Sequence, residues 1–402
     1  MLAIILTPIY LLGCFYVIKH GIRWMQACHG VCHSRPFKWI YFFVFWVTAI
    51  SPYAGFFLPI SPIQRLIQIY SHFWLGVFLY ALMVIALVDL VKIIAKRFKL
   101  LSLQAFQSRL NYALLGGTVT IVLLVVCLYG FIHSKDIQEV EYTAEIHKQV
   151  AGKDSLKVVM VGDMHLGYDT GEKRMAEMVE LINKQEPDLV CFVGDIFNND
   201  YKAIKDPQLV AEVLSGIESK QGVYACYGNH DVKEPILFGF TFSGKKNRPL
   251  RTPEMEAFME AAKIKPLMDE AVLVDDEFYI VGRLDKDKNG NPKEGRATAE
   301  TLLSSLDQTK PIIVLDHVPK EFEELAKAGA DLDLGGHTHD GQIFPMNLTS
   351  KIIWENSTGK MTKDKMTSIV TSGIGTFGPN MRVGTQSEVV TIKLDFQGKT
   401  SP

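Results

Sequence analysis

Hydrophobic and polar residues divide the chain near residue 133. Before that point the apolar runs are long and almost unbroken, and after it they are short and separated by charged residues. Four of the early runs reach or approach the ~20 residues that a helix needs to cross a bilayer. They cover residues 1–18, 39–60, 72–91 and 110–132. The pattern therefore predicts that residues 1–132 form an anchor of four transmembrane helices, an all-α bundle.

Two of these runs carry features that bear on their place in a membrane. The first lacks a basic start and a small-residue cleavage site, so we interpret it as a retained helix and not as a signal peptide. The third contains Asp89 close to its end. We expect this carboxylate to reach the lipid headgroups.

Lysine and arginine are concentrated in the connections on one side of the predicted bundle. Under the positive-inside rule, those connections face the cytoplasm. The first and third connections carry Lys19, Arg23, Arg35, Lys38, Lys92, Lys96, Arg97, Lys99 and Arg109, whereas the second has only Arg65. We therefore expect a multi-pass protein of the cell membrane, with both termini and the C-terminal domain outside the cytoplasm.

The part of the chain after residue 133 alternates between strand and helix patterns. Residues 133–154 form a polar connector in which partial alternation is typical of an edge strand. A buried-strand pattern at 156–161 is followed by a helical period over 173–184 and then by another strand pattern. Strand, helix and strand in this order predict parallel pairing. Residues 155–402 are therefore expected to form an α/β domain.

Composition and charge narrow the possible functions. The chain has 402 residues, is 48% hydrophobic and carries a formal net charge of −2. The near-neutral charge argues against a nucleic-acid-binding protein, because such proteins present a basic face. Cys28 and Cys32, each followed by a histidine, indicate either a plain loop or a zinc clip.

Possible metal ligands follow the predicted strands of the second domain. In chain order these residues are Asp163, His165, Asp195, Asn229, His230, His317, His337 and His339. Because ligands in α/β proteins collect at the carboxyl ends of the strands, we expect these side chains to converge. Imidazoles mixed with carboxylate and amide oxygens suit Mn, Fe or Zn better than Ca or Mg.

The order of these residues resembles the signature of the calcineurin-like metallophosphoesterases. The matching motifs are Asp163-x-His165, Gly194-Asp195, Gly228-Asn229-His230-Asp231, His317 and Gly336-His337-x-His339. The resemblance covers about residues 155–395 and is most like the membrane-associated bacterial branch. It implies a four-layer α/β/β/α sandwich, in which two mixed sheets are flanked by helices.

The resemblance also implies a role for each residue. Asp195 would bridge two divalent cations of Mn, Fe or Zn. The first cation would be held by Asp163, His165, Asp195 and His339, and the second by Asp195, Asn229, His317 and His337. Two such cations lower the pKa of a shared water, and the resulting hydroxide would attack phosphorus.

Three further residues have roles around the cations. His230 would act as the general acid that protonates the leaving group. Arg283 and Arg382 lie in segments that the family places near the site, and either is a candidate to contact substrate phosphate oxygens.

The sequence departs from the family pattern at three points. The family often has an aspartate three residues after the bridging one, where it orients the catalytic histidine; here that residue is Asn198. We therefore expect Asn198 to orient His230 without stabilising its charged form. Asp340 stands where glycine is common. Paired arginines do not follow Asp195, which argues against phosphoprotein substrates.

An apolar loop over residues 235–242 is followed by Lys245, Lys246 and Arg248. Bulky apolar residues with cations behind them suit a membrane surface or an acyl chain close to a phosphate. The alternative is a segment that packs on the protein core.

These features predict a membrane-anchored, dinuclear metal-dependent phosphoesterase or phosphodiesterase. Its expected substrate is a phosphate ester or pyrophosphate of a lipid or cell-envelope component, because the anchor holds the site near the bilayer. One alternative is a UDP-diacylglucosamine-type nucleotide-lipid pyrophosphatase, which needs a cytoplasmic site. Another is a catalytically silent metal-binding membrane sensor.

Overall fold

The chain folds into a helical unit and a mixed α/β unit. In the computed structural model the described residues are 2–99, 108–241, 250–288, 290 and 295–396. The helical unit contains the described residues up to Ile132, together with residues 236–241 and Gly378–Met381. The remaining described residues form the second unit, which contains the residues predicted to be catalytic and is therefore called the catalytic unit.

Five helices make up most of the helical unit. They are α1 (Leu2–Cys28), α2 (Arg35–Ala49), α3 (Ser51–Phe57), α4 (Pro62–Arg97) and α5 (Arg109–His133). Ser34 and Ser61 cap α2 and α4, because each side-chain oxygen accepts a hydrogen bond from a backbone N–H in the first turn. Helices α2 and α3 are bent by 42° relative to each other, and Pro52 lies in the first turn of α3.

Helices cover all four segments that the sequence predicted as spans, but only some of them meet the requirements for crossing a membrane. Among the described residues, α4 and α5 are long and apolar enough to do so. A third span is counted if α2 and α3 together cross as one bent helix. The prediction of four spans is therefore matched in two clear cases and at most three.

Asp89, which is expected to reach the lipid headgroups, is held by polar residues of α1 and α4. The hydroxyl of Tyr16 donates to Asp89 Oδ2 at 2.8 Å, and His20 Nε2 lies 3.2 Å from the same oxygen. Lys92 Nζ lies 3.3 Å from Oδ1. Because unpaired charge is costly inside a membrane, this polar cluster explains how α1 and α4 accommodate the carboxylate.

The apolar loop after residue 235 packs within the helical unit. It forms a short hairpin of β5 (Ile236–Leu237) and β6 (Phe240–Thr241), with Phe238 at the tip. The ring of Phe238 lies 4.8 Å from that of Tyr10 and 5.0 Å from that of Tyr53, measured between centroids. These contacts favour the packing alternative over a membrane or acyl-chain surface. Phe242, Lys245, Lys246 and Arg248 lie outside the described residues.

The catalytic unit is built on two six-stranded mixed sheets. The first has the order β1 (Ile137–Ile146), β14 (Ser387–Phe396), β2 (Ser155–Val161), β3 (Leu189–Val193), β4 (Val223–Cys226) and β7 (Lys265–Pro266). Its strands β2, β3, β4 and β7 are parallel, and β14 runs antiparallel to β2. Strand β1 lies at the sheet edge and occupies the middle of the predicted connector, as the alternation there indicated.

The second sheet has the order β12 (Gly359–Lys363), β13 (Met366–Val370), β11 (Leu332–Gly335), β10 (Ile312–Leu315), β9 (Phe278–Gly282) and β8 (Glu270–Val274). Strands β9, β10, β11 and β13 are parallel, and the two outer strands are antiparallel to their neighbours. The helices of this unit are α6 (Glu172–Lys184), α7 (Pro207–Ser215), α8 (Pro253–Ala261), α9 (Ala299–Leu303), α10 (Phe322–Lys327) and α11 (Met346–Ile353).

Three buried hydrophobic clusters separate the layers of the catalytic unit. Alternate residues of β2 face different clusters: Val159 packs with residues of α6 and α7, and Val158 packs with strands of the second sheet. A third cluster joins β9 and β10 to α9 and α10. Helices thus cover the outer faces of both sheets, which confirms the predicted mixed α/β class with two mixed sheets flanked by helices.

Candidate metal centre

The site lies where parallel strands of both sheets end. Strands β2, β3 and β4 lead into Asp163, Asp195 and Asn229 in the first sheet, and β10 and β11 lead into His317 and His337 in the second. These residues are buried or nearly so. The sequence predicted this convergence from the position of each residue after a strand, and the structure brings all of them together.

Glycines next to the ligands allow the strand ends to approach each other. A Cβ atom added to Gly194 would lie 2.6 Å from Nδ1 of His317, and the φ angle of Gly194 is +85°. One added to Gly228 would collide with Oδ1 of Asp195. Because only glycine lacks a Cβ, both positions require it for the two sheets to share one site.

Two groups of ligand atoms are formed. Asp163, His165 and His339 offer atoms that all lie within 4.8 Å of one another, and so do Asp195, His317 and His337. In the first group, Nε2 of His165 lies 3.0 Å from Nε2 of His339, which is 3.5 Å from Asp163 Oδ1.

The second group includes the predicted amide ligand. Nε2 of His317 lies 3.3 Å from Nδ1 of His337, and Oδ1 of Asn229 lies 2.9 Å from that Nδ1. The imidazole of His317 donates from Nδ1 to the carbonyl oxygen of Val193 at 2.8 Å. This bond fixes the tautomer and leaves Nε2 free to bind a cation.

Asp195 faces both groups with one carboxylate oxygen. Its Oδ2 lies 3.2 Å from Nε2 of His317 and 3.7 Å from Nε2 of His165. The second oxygen, Oδ1, accepts a hydrogen bond from the backbone N–H of His230 at 2.8 Å. One fixed carboxylate between two sets of imidazoles is the arrangement that a bridging ligand requires.

The imidazoles differ in protonation, because the carboxylates of Asp195 and Asp163 outweigh burial and raise the pKa of His317 well above its usual range. Burial lowers the pKa of His165 to about 4 and that of His337 to about 3, so both rings are neutral at pH 7. Nε2 of His165 and Nε2 of His339 lie 3.0 Å apart, so two nitrogen ligands are available around one position for a cation. The donor set of nitrogen, carboxylate and amide oxygen therefore fits two divalent cations of the transition series.

Arg382 is buried beneath the ligand groups and binds the backbone that carries them. Its side chain is fully buried, and Nη2 donates to the carbonyl oxygens of Ser372 at 2.7 Å and Gly375 at 2.8 Å. Nη1 donates to the carbonyl oxygen of His339 at 3.4 Å. With its donors directed at the backbone of this chain, Arg382 is placed to position His339, which argues against the predicted contact with substrate.

Arg283 is also buried and engaged within the protein. Its guanidinium donates to Asp316 at 2.8 Å and to Glu321 at 2.9 Å, and only 1% of the residue is exposed. Asp316 also accepts from Arg296 at 2.9 Å and directly precedes the candidate ligand His317. A buried guanidinium held by two carboxylates is not available to phosphate, so this placement also argues against the predicted substrate contact.

The partner of His230 is Asn199 and not the expected Asn198. Nδ1–H of His230 donates to the side-chain oxygen of Asn199 in a short hydrogen bond. Asn198 instead lies against His165, and its hydrogen bond opposes the effect of burial on the pKa of that imidazole. The orienting residue is thus four positions after Asp195, because the chain turns through a positive φ of 59° at Asn199.

Replacing Asn199 with aspartate tests this assignment. A carboxylate beside His230 favours the imidazolium, so the pKa of His230 rises. Since a general acid must carry its proton, the alkaline limb of the kcat/KM profile of Asn199→Asp should move up by about one pH unit. Asn198→Asp is the matched control and should leave that limb in place. A shift of the alkaline limb in Asn198→Asp alone would instead show that Asn198 is the partner of His230.

Several residues around the site were not assigned a role from the sequence. Asp231 is buried and accepts backbone hydrogen bonds from Phe197 and Gly228, both at 2.7 Å, so it holds two strand ends together. Phe377 lies with its ring centroid 4.3 Å from that of His230, and Trp354 lies 5.3 Å from His337. The motif around His230 contained Asp231, but no sequence pattern links the two aromatic residues to the site.

Two other sequence features are resolved by the structure. Cys28 and Cys32 belong to no group of three or more ligands in the described part of the chain, which favours the plain loop over a zinc clip. Asp340 adopts a left-handed φ of 49°. This conformation explains why glycine is common at that position, and here aspartate takes it instead.

The strand-end residues lie in the part of the chain that is similar to known phosphoesterases. The calcineurin-like phosphoesterase profile matches residues 156–341. A bovine relative described as a transmembrane protein with metallophosphoesterase domain is 26% identical over 293 residues, which is 70% of this chain and 62% of the relative. The match therefore spans about three fifths of that protein's length.

Two bacterial relatives are also informative. An uncharacterized metallophosphoesterase of Aquifex aeolicus is 27% identical over 274 residues, covering 67% of this chain and 96% of the relative. The UDP-2,3-diacylglucosamine pyrophosphatase LpxG of Chlamydia trachomatis is 22% identical over 244 residues, covering 51% of this chain and 71% of the relative.

Proposed function

We propose that this chain, which matches the calcineurin-like phosphoesterase profile over residues 156–341, is a phosphoester hydrolase that uses two divalent cations to hydrolyse a membrane-associated phosphoester. The observation that carries the dinuclear proposal is the position of Asp195 Oδ2, which lies between the imidazoles of both groups. The predicted ligand sets then apply as written: Asp163, His165, Asp195 and His339 on one side, and Asp195, Asn229, His317 and His337 on the other.

The protein's own groups account for orientation and charge at this site. Bound cations would activate a water and offset charge on the phosphoryl oxygens. Asp195 lies between both ligand groups, and its second oxygen accepts a hydrogen bond that fixes the backbone of His230. Val193 sets the tautomer of His317. The donor types favour Mn, Fe or Zn.

His230 is proposed as the general acid, with a condition set by its surroundings. Burial lowers the pKa of His230 to about 3, so the ring is neutral at pH 7 before substrate arrives. A phosphoryl group bound beside it carries negative charge, which raises that pKa and favours the imidazolium. With Nδ1–H held by Asn199, Nε2 is the atom that would give the proton to the leaving oxygen.

The substrate is proposed to be a phosphate ester, diester or pyrophosphate of a lipid or envelope component. Two observations support this: α4 and α5 are apolar enough to cross a bilayer, and relatives with transmembrane segments share the domain. The distribution of lysine and arginine supports an extracytoplasmic catalytic unit in a multi-pass cell-membrane protein.

A nucleotide-lipid pyrophosphatase is the second candidate. The likeness to LpxG, whose name states such a substrate, favours it. A nucleotide-lipid substrate of this kind requires a cytoplasmic site, so accessibility of a tag placed in the catalytic unit distinguishes the two. The silent-sensor alternative is disfavoured because every predicted ligand position is present and convergent.

The proposal is tested by turnover of the full-length chain in nanodiscs with added manganese. We expect metal-dependent hydrolysis of bis(p-nitrophenyl) phosphate or p-nitrophenyl phosphate, removed by a chelator and restored by Mn²⁺. The preferred compound separates a diesterase from a monoesterase. Metal analysis of the same sample should find two ions per chain. Two bound ions without turnover of these compounds or of phospholipid would favour the sensor.

A further inference from the structure

The catalytic unit exposes a concentrated apolar surface next to its metal centre. Among its described residues, the exposed large apolar side chains are Leu209, Leu250 and Leu273, which are scattered, and Phe344, Met346, Leu348, Ile352 and Ile353, which are clustered. Ile352 is 84% exposed and Ile353 is 73% exposed. Scattered exposed leucines are normal on protein surfaces, but five such residues within ten positions are not.

Helix α11 exposes apolar residues and buries polar ones, which is the reverse of the usual arrangement in a surface helix. Leu348, Ile352 and Ile353 point outward, whereas Ser350 is buried and the side chain of Asn347 donates to the carbonyl oxygen of Gly384. A surface helix of a water-soluble domain normally turns its apolar stripe inward and its polar residues outward. The outward face of α11 is therefore suited to an apolar environment.

Cationic and aromatic residues border the apolar face. Lys351 lies on α11 and is exposed. Trp354, which ends the helix, is half-buried, and Nζ of the exposed Lys320 lies 4.9 Å from the centre of its ring. Leucine and isoleucine flanked by tryptophan and lysine are typical of helices that lie in the interface of a bilayer.

We propose that α11 and Phe344 form a membrane-contact surface, which rests in the interface of the lipid bilayer and presents the metal centre to lipid phosphoesters there. The chain's own apolar helices α4 and α5 place a bilayer beside every copy. A second copy of the chain fits this surface poorly, since eight helical residues span only about 12 Å. A stable dimer needs about 800 Å² from each partner.

The surface is connected directly to the ligands. The ring of Trp354 lies 5.3 Å from that of His337, and α11 begins seven residues after the ligand His339. A lipid bound at the interface would therefore have its phosphate beside the metal centre. The statement about substrate rests on the proposed function, whereas the statement about membrane contact does not.

The membrane contact is tested by an environment-sensitive fluorophore on the full-length chain in nanodiscs. The label is attached to Ile352→Cys in a Cys28→Ser/Cys32→Ser background, with Leu209→Cys on α7 as the matched control. We expect blue-shifted emission at position 352, quenched by brominated lipids, and water-like emission at position 209. Water-like, unquenched emission at both positions would overturn the proposal. Quenching replaced by concentration-dependent self-association in detergent would also overturn it, in favour of a second copy.

The substrate statement is tested by Ile352→Glu/Ile353→Glu beside Leu209→Glu. Two charges on the apolar face should lower hydrolysis of vesicle phospholipid by about tenfold or more, because an interfacial helix binds through its buried apolar area. Hydrolysis of bis(p-nitrophenyl) phosphate should stay within about twofold, since no ligand is touched. Equal losses on both substrates would contradict a membrane role. If wild-type turnover is absent while the label at 352 is quenched, the proposed function fails and the membrane contact stands.

Discussion

Asp195→Asn is expected to lower metal-dependent turnover by at least about 10³-fold, because the substitution removes the charge that both ligand groups share. An amide is nearly the same size as a carboxylate, so the fold is kept. It offers one oxygen without a negative charge, and it cannot bind two cations and also accept from the N–H of His230 as Asp195 Oδ1 does. Metal content should fall below two ions per chain.

The matched control is Asp276→Asn, an exposed aspartate that pairs with Lys310 far from any ligand position. It should keep wild-type turnover and metal content. Metal analysis, thermal unfolding and turnover on the same preparations separate loss of cations from loss of fold. Retention of two ions together with turnover within about tenfold of wild type would show that Asp195 does not bridge.

The convergence of the candidate ligands could be predicted from the sequence because local pattern determines their position. Each follows a buried strand, and parallel strands place such residues at a common edge. The strand ends of the two sheets can approach each other because glycine occupies positions 194 and 228. These glycines belong to the motifs themselves, so the sequence also indicates the close approach. A prediction of this kind uses only the local sequence pattern and does not depend on knowing the tertiary contacts.

The arginines could not be assigned in the same way, since their environment depends on tertiary packing. Arg283 and Arg382 are both buried to 1% exposure or less, with their donors directed at Asp316, Glu321 and backbone carbonyls. A sequence shows that an arginine is present near the site, but not whether its guanidinium faces solvent. The wrong prediction of Asn198 as the partner of His230, in place of Asn199, has a similar cause. A single positive φ at Asn199 decides which amide faces His230.

The sequence also did not show which apolar segments lie on the surface of the protein. Residues 235–242 were prominent because five aliphatic or aromatic residues occur in eight positions, yet Phe238 is packed against Tyr10 and Tyr53. Helix α11 was not noticed because its composition is ordinary; only the orientation of the helix shows that the apolar side is outside. Hydrophobic content alone therefore cannot distinguish a core segment from an interfacial one.

His230→Gln is expected to affect substrates according to their leaving group. A general acid contributes about 10²- to 10⁴-fold when the leaving oxygen needs a proton. For an alkyl or glycerol phosphodiester, whose alkoxide is a poor leaving group, the full loss should therefore appear in kcat. For bis(p-nitrophenyl) phosphate, nitrophenolate departs without protonation, so the loss should be much smaller.

The geometry makes this difference specific to proton transfer. The bond to Asp195 comes from the backbone N–H of residue 230, so it survives the substitution and the ligand groups keep their positions. Glutamine can still donate to Asn199 but cannot deliver a proton to the leaving oxygen. Metal content should therefore remain at two ions per chain. Equal losses on both substrates, or loss of a cation, would show that His230 acts by supporting the ligands, and the general acid would then have to be sought elsewhere around the site.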